Sequence, residues 1–199
     1  MKRFLLLFTA LSLLAAKAWT QNFKVDGIVY AINGLVVKVV KVENDPVILE
    51  IPQNVTHNGV KYPVTSISDG PFTECTKLEV VNIPSTVELI MDKIFETTQN
   101  LKAINVAANN LVYSSADGVL FTKTQDVLIK CPMAKARPLS FSAYTIPSTV
   151  TEISPWAFSQ CHTLNALVVP ASVRRIGMGA FSQIKNLQQI HIRNSNPDN

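Results

Sequence analysis

The chain has 199 residues, of which 47% are hydrophobic and 16% are charged, with 7 Gly, 11 Pro and 3 Cys. This composition excludes a disordered charged tail, a collagen-like rod and a disulfide-dense miniprotein, and the length is sufficient for one domain with its own core. The formal net charge is +4 at pH 7, but Lys2, Arg3 and Lys17 lie at the N-terminus, and the other basic residues nearly balance the 14 acidic ones. We therefore expect no nucleic-acid binding driven by phosphate neutralisation.

The N-terminus has the pattern of an export signal. Residues 1–20 read MKRFLLLFTALSLLAAKAWT, and a basic start, an apolar run and then small residues is the order typical of a secretory signal peptide. Ala16 and Ala18 favour cleavage directly after Ala18, which makes residues 1–18 the signal peptide; cleavage after Thr20 is the alternative. The apolar run is shorter than the roughly 20 residues that span a bilayer. We expect a secreted, cell-surface or periplasmic protein without a transmembrane segment once the signal is removed.

Residues 21–45 predict an N-terminal capping hairpin. Apolar residues alternate along residues 23–42 around Asn33-Gly34, a dipeptide that suits a two-residue turn. We expect this hairpin to cover the first turn of the structure that follows. Asn58-Gly59 predicts a second hairpin between residues 53 and 70.

A 23-residue repeat extends through the rest of the chain. This step separates leucines and phenylalanines in both halves of the sequence: Leu78 and Leu101, Leu164 and Leu187, Phe72 and Phe95, Phe158 and Phe181. One such unit cannot bury its apolar face alone, whereas stacked units can. The repeat therefore predicts a solenoid over residues 46–194, each turn of which we call a rung.

One repeat, residues 146–168, contains the predicted elements of a rung. A hexad of alternating apolar residues predicts a short β-strand. A proline such as Pro147 follows the hexad and ends the strand. Val150 and Ile153 predict a second inward-facing segment, and residues 156–161 predict a short helical or 3-10 turn. The expected fold is an α/β solenoid with a parallel sheet on one face, whose six strands are residues 46–51, 78–83, 101–106, 141–146, 164–169 and 187–192.

An insertion interrupts the repeat in the middle of the chain. Val106 and Ile146 occupy equivalent strand positions but are 40 residues apart, 17 more than one repeat. Apolar residues at 119–121 and 127–129 predict a β-hairpin within an insert of about 109–132.

The repeats resemble a known family. The segments IPSTVTEISPWAFSQCHTL and VPASVRRIGMGAFSQIKNL are similar to the 23-residue leucine-rich repeats of the BspA-like class, which occurs in exported and surface proteins of bacteria, including Bacteroides-type members. The copies at 72–106 match less closely. Residues 109–132 resemble the hairpin-bearing insert of these relatives, and residues 23–42 resemble their N-terminal hairpin. The resemblance implies a leucine-rich repeat solenoid, export, and adhesion to host proteins or other cells.

The sequence shows no constellation for catalysis or for binding a metal or cofactor. It contains no HExxH, GxSxG, CxxC or phosphate-binding glycine loop. Cys75 and Cys161 occupy the same repeat position three rungs apart, roughly 14 Å, whereas a disulfide needs Cα atoms within about 7 Å. We therefore expect both to be buried free thiols; Cys131 cannot be placed against either. We expect no enzymatic activity.

The third and fifth residues of each strand hexad should point outward. They form a small, nearly uncharged face, with alanines expected next to one another on consecutive strands. A docking surface for an extracellular protein or glycan is one interpretation, and a solvated sheet face without a ligand is the other. The expected partner-binding residues are Asn82, Ala103, Asn105, Ala143, Thr145, Ala166 and Val168.

Two functions are compatible with these patterns. The first is an exported binding or adhesion module, which the family resemblance favours. The alternative is a structural spacer or accessory subunit of a cell-surface assembly without its own ligand. The last strand, 187–192, is followed by a short polar segment that is too small to cover an apolar rung, so we also expect self-association or lability at this end.

Overall fold

The computed structural model describes residues 21–91, 94–135 and 143–193. The signal peptide (1–18 or 1–20), the first two residues of the expected strand 141–146, and residue 194 lie outside the described residues. The described residues form strands and turns: β1 (Asn22–Val25), β2 (Ile28–Asn33), β3 (Val36–Val42), β4 (Ile48–Glu50), β5 (Asn54–His57), β6 (Val60–Ile67), β7 (Val80–Ile83), β8 (Leu89–Ile90), β9 (Ala103–Val106), β10 (Tyr113–Ala116), β11 (Val119–Thr122), β12 (Val127–Lys130), β13 (Tyr144–Thr145), β14 (Glu152–Ile153), β15 (Ala166–Val169), β16 (Arg175–Ile176) and β17 (Gln189–Ile192).

The cap is an antiparallel meander of β1, β2 and β3. The sequence predicted the hairpin of β2 and β3 but not β1. Asn33 pairs with Val36, so the two-residue loop is Gly34-Leu35, one position later than the Asn33-Gly34 dipeptide suggests. β3 then pairs in parallel with β6. The cap therefore extends the sheet of β6 and leaves β4 with β7 as its strand partner.

The expected hairpin at Asn58-Gly59 is also present. β5 and β6 pair antiparallel, with His57 opposite Val60, so Asn58-Gly59 is the two-residue loop that the sequence predicted.

Each rung contributes to two parallel ladders of strands. The first ladder contains the predicted hexad strands, all six of which form, but they divide into two sheets, β4-β7-β9 and β13-β15-β17. The second ladder contains the shorter segments, in which β8 pairs with β6 and β16 with β14. Within both ladders, paired residues of regular rungs are 23 apart, as with Ala166 and Gln189. The sequence repeat is therefore the hydrogen-bonding register.

The core lies between the two ladders. Before the last rung, residues predicted to point inward at the middle of the strands of the first ladder, such as Leu49, Val81, Ile104 and Leu167, are buried. Ring stacking continues between rungs at the turns, with ring centroids 5.6 Å apart for Phe72 and Phe95 and 5.5 Å for Phe158 and Phe181.

The expected helical or 3-10 turns are wrong: residues 156–161 form a series of β-turns. The N–H groups of 157, 159 and 161 donate to carbonyls three residues back, while those of 156, 158 and 160 donate to Met178, Ala180 and Ser182 of the next rung. A helix needs every amide for its own segment, and here every second amide bonds to a neighbouring rung. Trp156 and Gln160 also have φ of 59° and 61°, in the left-handed region that a right-handed helical turn excludes.

The insert is a three-stranded meander of β10, β11 and β12. The sequence predicted β11 and β12 but not β10. All of Val119, Leu120 and Phe121 are buried, because Leu120 belongs to the N-terminal core cluster and the other two to the C-terminal one. An apolar run without alternation is typical of a strand that is covered on both faces, and β11 is covered in this way.

The insert also interrupts the first ladder. The N–H of Ile104 in β9 donates to Gly118 O at 2.9 Å, and the N–H of Val106 donates to Ser115 Oγ at 2.9 Å. These bonds use the β9 edge on which the next hexad strand would pair. β9 and β13 therefore lie in different sheets.

A buried asparagine joins the insert to the rung before it. Asn110 is fully buried, and its side-chain amide donates to Pro84 O at 3.0 Å and Val87 O at 2.8 Å. Its side-chain oxygen accepts from the N–H groups of Val112 and Tyr113 at 2.9 and 2.8 Å. The two N–H groups and the two oxygen lone pairs of this side chain therefore all have hydrogen-bond partners within the protein.

We expect Asn110→Ala to lower the free energy of unfolding by about 2–4 kcal/mol, because the Val87 carbonyl and two amides lose their partner at a buried site. Urea unfolding followed by circular dichroism measures this. Asn109→Ala is the matched control, since Asn109 is exposed and should change stability by no more than about 0.5 kcal/mol. Equal effects of the two variants would contradict the structural role of Asn110.

We also expect Gly118→Ala to destabilise more than Gly59→Ala. Both glycines lie in tight turns, with φ of +73° and +78°, but a Cβ on Gly118 would lie 2.9 Å from the Cβ of Ala103, whereas a Cβ on Gly59 would have no neighbour within 4 Å. The backbone strain is shared, so the difference in free energy of unfolding isolates the contact between insert and β9. It should be about 1–3 kcal/mol. Indistinguishable values in urea unfolding would show that the insert does not pack on β9.

Candidate functional site

The outward face of β4, β7 and β9 carries a polar ladder. Asn105 Nδ2 donates to Asn82 Oδ1 at 2.8 Å, and Asn82 Nδ2 in turn donates to the Glu50 carboxylate. The sequence predicted that Asn82 and Asn105 are neighbours. Glu50 occupies the same outward hexad position on the preceding strand, and its contact with Asn82 continues the row. Each amide group orients the next, which fixes these side chains along the face.

The outward face of β13, β15 and β17 carries smaller side chains at its centre than the face of β4, β7 and β9. Tyr144 pairs with Leu167 and Thr145 with Val168, a register that brings Ala143 beside Ala166. On the other side of β15, Ala166 and Val168 pair with Gln189 and His191. We call this set the alanine face; its residues are Ala143, Thr145, Ala166, Val168, Gln189 and His191, all exposed or half-buried.

The predicted binding residues therefore fall into two groups. Asn82, Ala103 and Asn105 lie in the sheet of β7 and β9, and the remaining residues lie on the alanine face. The expectation of three alanines on consecutive strands is wrong, because the turn of the insert takes the β9 edge. Ala103 packs against Gly118 instead of lying beside Ala143.

Charged side chains lie beside these faces and are largely paired. Lys102 and Glu79, which precede β9 and β7, form an ion pair of 2.7 Å. On the second ladder Arg175 pairs with Glu152. The Lys77 N–H donates to Asp45 at 2.7 Å and lowers the pKa of that carboxyl. The centre of the alanine face carries no acidic or basic side chain apart from the imidazole of His191.

A cleft that the sequence did not predict lies between the cap and the free edge of β4. Its volume is about 560 Å³, and its lining includes three acidic residues, Asp26, Glu43 and Glu50, without a lysine or arginine. Glu43 is paired with Lys24 at 3.0 Å, and this contact lowers the pKa of the Glu43 carboxyl.

The last described rung exposes apolar side chains. Strands β16 and β17 are the terminal strands of their sheets, and Met178 and Ile192 are 75% and 77% exposed. Ile176 and Ile190 are also exposed. Incomplete protection of this end and self-association there stay predictions.

The described residues contain no group of three or more side chains that could hold a metal ion. None of them forms a helix with the length and apolar character that crossing a membrane requires. Cys75 and Cys161 are buried, as the repeat spacing predicted, and Cys131 is buried as well.

Comparison with known proteins adds the family and the fold. Six copies of the BspA-type leucine-rich repeat region match residues 51–124 and 137–198. No curated protein matches the sequence. The pneumococcal vaccine antigen PcpA is similar in structure, with a TM-score of 0.55 and 17% identity over 86% of this chain and 70% of PcpA.

Two further solved structures are similar. A leucine-rich repeat protein from Bacteroides ovatus has a TM-score of 0.54 and 25% identity, over 85% of this chain and 40% of that protein. A leucine-rich cell surface protein from Faecalibacterium prausnitzii has a TM-score of 0.48 and 18% identity, over 86% of this chain and 76% of that protein. The matched repeats cover more than half of the sequence, and their 23-residue step is the register of the strands. The chain belongs to the BspA-type leucine-rich repeat family.

Proposed function

We propose that this protein is an exported binding module that recognises an extracellular protein or glycan through the alanine face. The single observation that supports this most is the register of β13 on β15, which pairs Thr145 with Val168 and places Ala143 beside Ala166 at the centre of an accessible sheet. Membership of a leucine-rich repeat family supports it further, because repeat proteins commonly bind partners through extended faces. The family does not fix the ligand.

The chemistry of the alanine face suits close approach of a partner. Alanine side chains let another backbone or a sugar ring come near the sheet, and the cores of protein interfaces are depleted in charge. Thr145 and Gln189 supply hydroxyl and amide groups at the border. Shape and a few hydrogen bonds, more than charge, would then select the partner.

The polar ladder can add a second contact area. The side-chain amides of Asn82 and Asn105 each donate one hydrogen bond to the next residue of the ladder. Each amide retains capacity for a further hydrogen bond. Because these amides are held in place before binding, less side-chain entropy is lost when a partner binds. The ladder lies beyond the insert, so it would contact a different part of the ligand.

The alternative function is a structural spacer or accessory subunit of a cell-surface assembly. The exposed apolar residues of β16 and β17 favour it, since such an end can stack on another repeat array. Neither proposal assigns catalysis to the chain.

We expect Ala166→Arg to weaken binding at least tenfold to any component that the parent captures from a panel of extracellular-matrix proteins and glycans. The substitution places bulk and an unpaired charge at the centre of the alanine face. Leu35→Arg is the control, because Leu35 is 83% exposed in the cap and receives the same charge. Surface interferometry measures binding. The free energy of unfolding, measured by thermal unfolding, should change by no more than about 0.5 kcal/mol.

Equal binding by parent and Ala166→Arg would move the site elsewhere, first to the insert at 109–132. Capture of no component by the parent would favour the spacer. Sedimentation velocity of the same samples tests self-association through the last rung. A sedimentation coefficient that stays at the monomer value at every protein concentration would contradict it.

Export makes its own prediction. Because Ala16 and Ala18 precede the expected cleavage position, protein recovered from outside the cytoplasm should begin at Trp19, or at Gln21. N-terminal sequencing and intact mass of that material measure this. A retained Met1 would contradict cleavage, whereas Ala18→Arg should block processing and Lys24→Arg, beyond the signal, should not.

A further inference from the structure

Two of the three cysteines lie side by side in adjacent rungs. Cys131 follows β12, Cys161 lies in the next turn of the solenoid, and both are 1% exposed. The Cys131 N–H donates to Ala157 O at 2.8 Å, so the two segments run next to each other. The register of the repeat could not show this contact, because Cys131 belongs to the insert.

The sulfur atoms share one environment. Cys161 Sγ lies 3.5 Å from Cys131 O and 3.6 Å from Pro132 O. Cys131 Sγ lies 3.8 Å from the same Pro132 O. Both sulfurs are therefore directed at one point in the core.

We propose that Cys131 and Cys161 are an oxidation site at which an intramolecular disulfide joins the insert to the following repeat, while Cys75 stays a thiol. This is independent of the proposed ligand-binding function. A disulfide needs Cα atoms about 4.4–6.8 Å apart, and neighbouring rungs are spaced at about 4.8 Å. Cys75 lies in the other core cluster, with its thiol directed at Val42 O, 3.9 Å away.

The reaction is thiol–disulfide exchange with a small disulfide such as oxidised glutathione. One cysteine thiolate attacks a glutathione sulfur, which breaks the glutathione S–S bond, releases one glutathione and forms a mixed disulfide. The second thiolate then attacks the protein sulfur and releases the other glutathione. Two protein S–H bonds are replaced by one S–S bond; the two protons and two electrons leave with the two glutathione thiols. An oxidising compartment outside the cytoplasm maintains such disulfides.

A buried lysine favours this chemistry at the pair. Lys130 Nζ donates to Trp156 O at 2.9 Å and lies 3.5 Å from Ser159 O, which holds the ammonium group in the turn that leads to Cys161. The neighbouring Cys131 thiol, assisted by Lys130, lowers the pKa of the Cys161 thiol. Burial instead raises the pKa of Cys75 to about 11. In the folded protein Cys75 therefore stays protonated and does not take part in exchange.

The bond should form mainly during folding, since neither sulfur is accessible to glutathione in the closed core. Cys131 and Cys161 are 30 positions apart, and closing a loop of this length removes much of the entropy of the unfolded chain. For a chain of this size we expect oxidation to raise the midpoint of thermal unfolding by about 5–10 °C.

The experiment refolds the purified full chain from denaturant in glutathione buffers of increasing oxidised fraction. Samples are quenched in acid, alkylated with N-ethylmaleimide under denaturing conditions and weighed by mass spectrometry. Reduced protein should take up three alkyl groups, and protein from oxidising buffer should take up one, on Cys75. Peptide mapping without reductant should recover the Cys131–Cys161 crosslink.

Single variants provide the controls. Cys75→Ala should keep the crosslink and the rise in unfolding midpoint, whereas Cys131→Ala and Cys161→Ala should lose both. Should a variant fail to fold, the alkylation count of the parent chain still decides. Three alkyl groups at every buffer ratio, a crosslink that includes Cys75, or only intermolecular dimers would overturn the proposal.

Discussion

Backbone hydrogen bonds between rungs are the constraint on which the rest of this structure depends. In the regular repeats each strand residue pairs with the residue 23 positions later, on the strand of the next rung. In the turn at 156–161 every second backbone N–H also donates to the next rung. A rung is therefore bound to its neighbour at its strands and at its turn. This fixes which residues point inward and prevents the turns from becoming helical. Since each rung contacts only its neighbours, the consequences of a local irregularity stay local.

The insert is the main irregularity, and it changes the outward face without breaking the core. β11 gives Leu120 to one core cluster and Val119 and Phe121 to the other, so apolar packing continues through the insert while the first ladder stops. Asn110 fixes the start of the insert to the preceding rung with two side-chain hydrogen bonds, to Pro84 O and Val87 O. One continuous outward face becomes two, the polar ladder and the alanine face.

The sequence was sufficient for what depends on repetition. The six hexad strands, their inward residues and the burial of Cys75 and Cys161 follow from a 23-residue register that the whole chain shares. It was insufficient where one segment departs from the register. Nothing in the repeat indicates that Gly118 takes the edge of β9, because that contact depends on how the insert folds back. The sequence predicts a helical turn at Trp156, in which hydrogen bonds stay within the segment. In the structure, half of the backbone N–H groups of this turn donate to residues 22 positions away.

The position of the thiol pair connects the insert to the alanine face. Cys161 precedes β15 in the same rung, and Cys131 directly follows β12, which pairs with β14 in the second ladder. A bond between them would join the insert to the rung that carries Ala166, at a place where regular strand pairing in the first ladder is absent. Repeat arrays open most easily where the interface between neighbouring units is weakest. Because Cys131 and Cys161 lie in the same core cluster, a covalent link there would oppose opening between the insert and the rung of β15 and would help to keep Ala143 and Ala166 in register. Oxidation outside the cell would then make the alanine face more rigid.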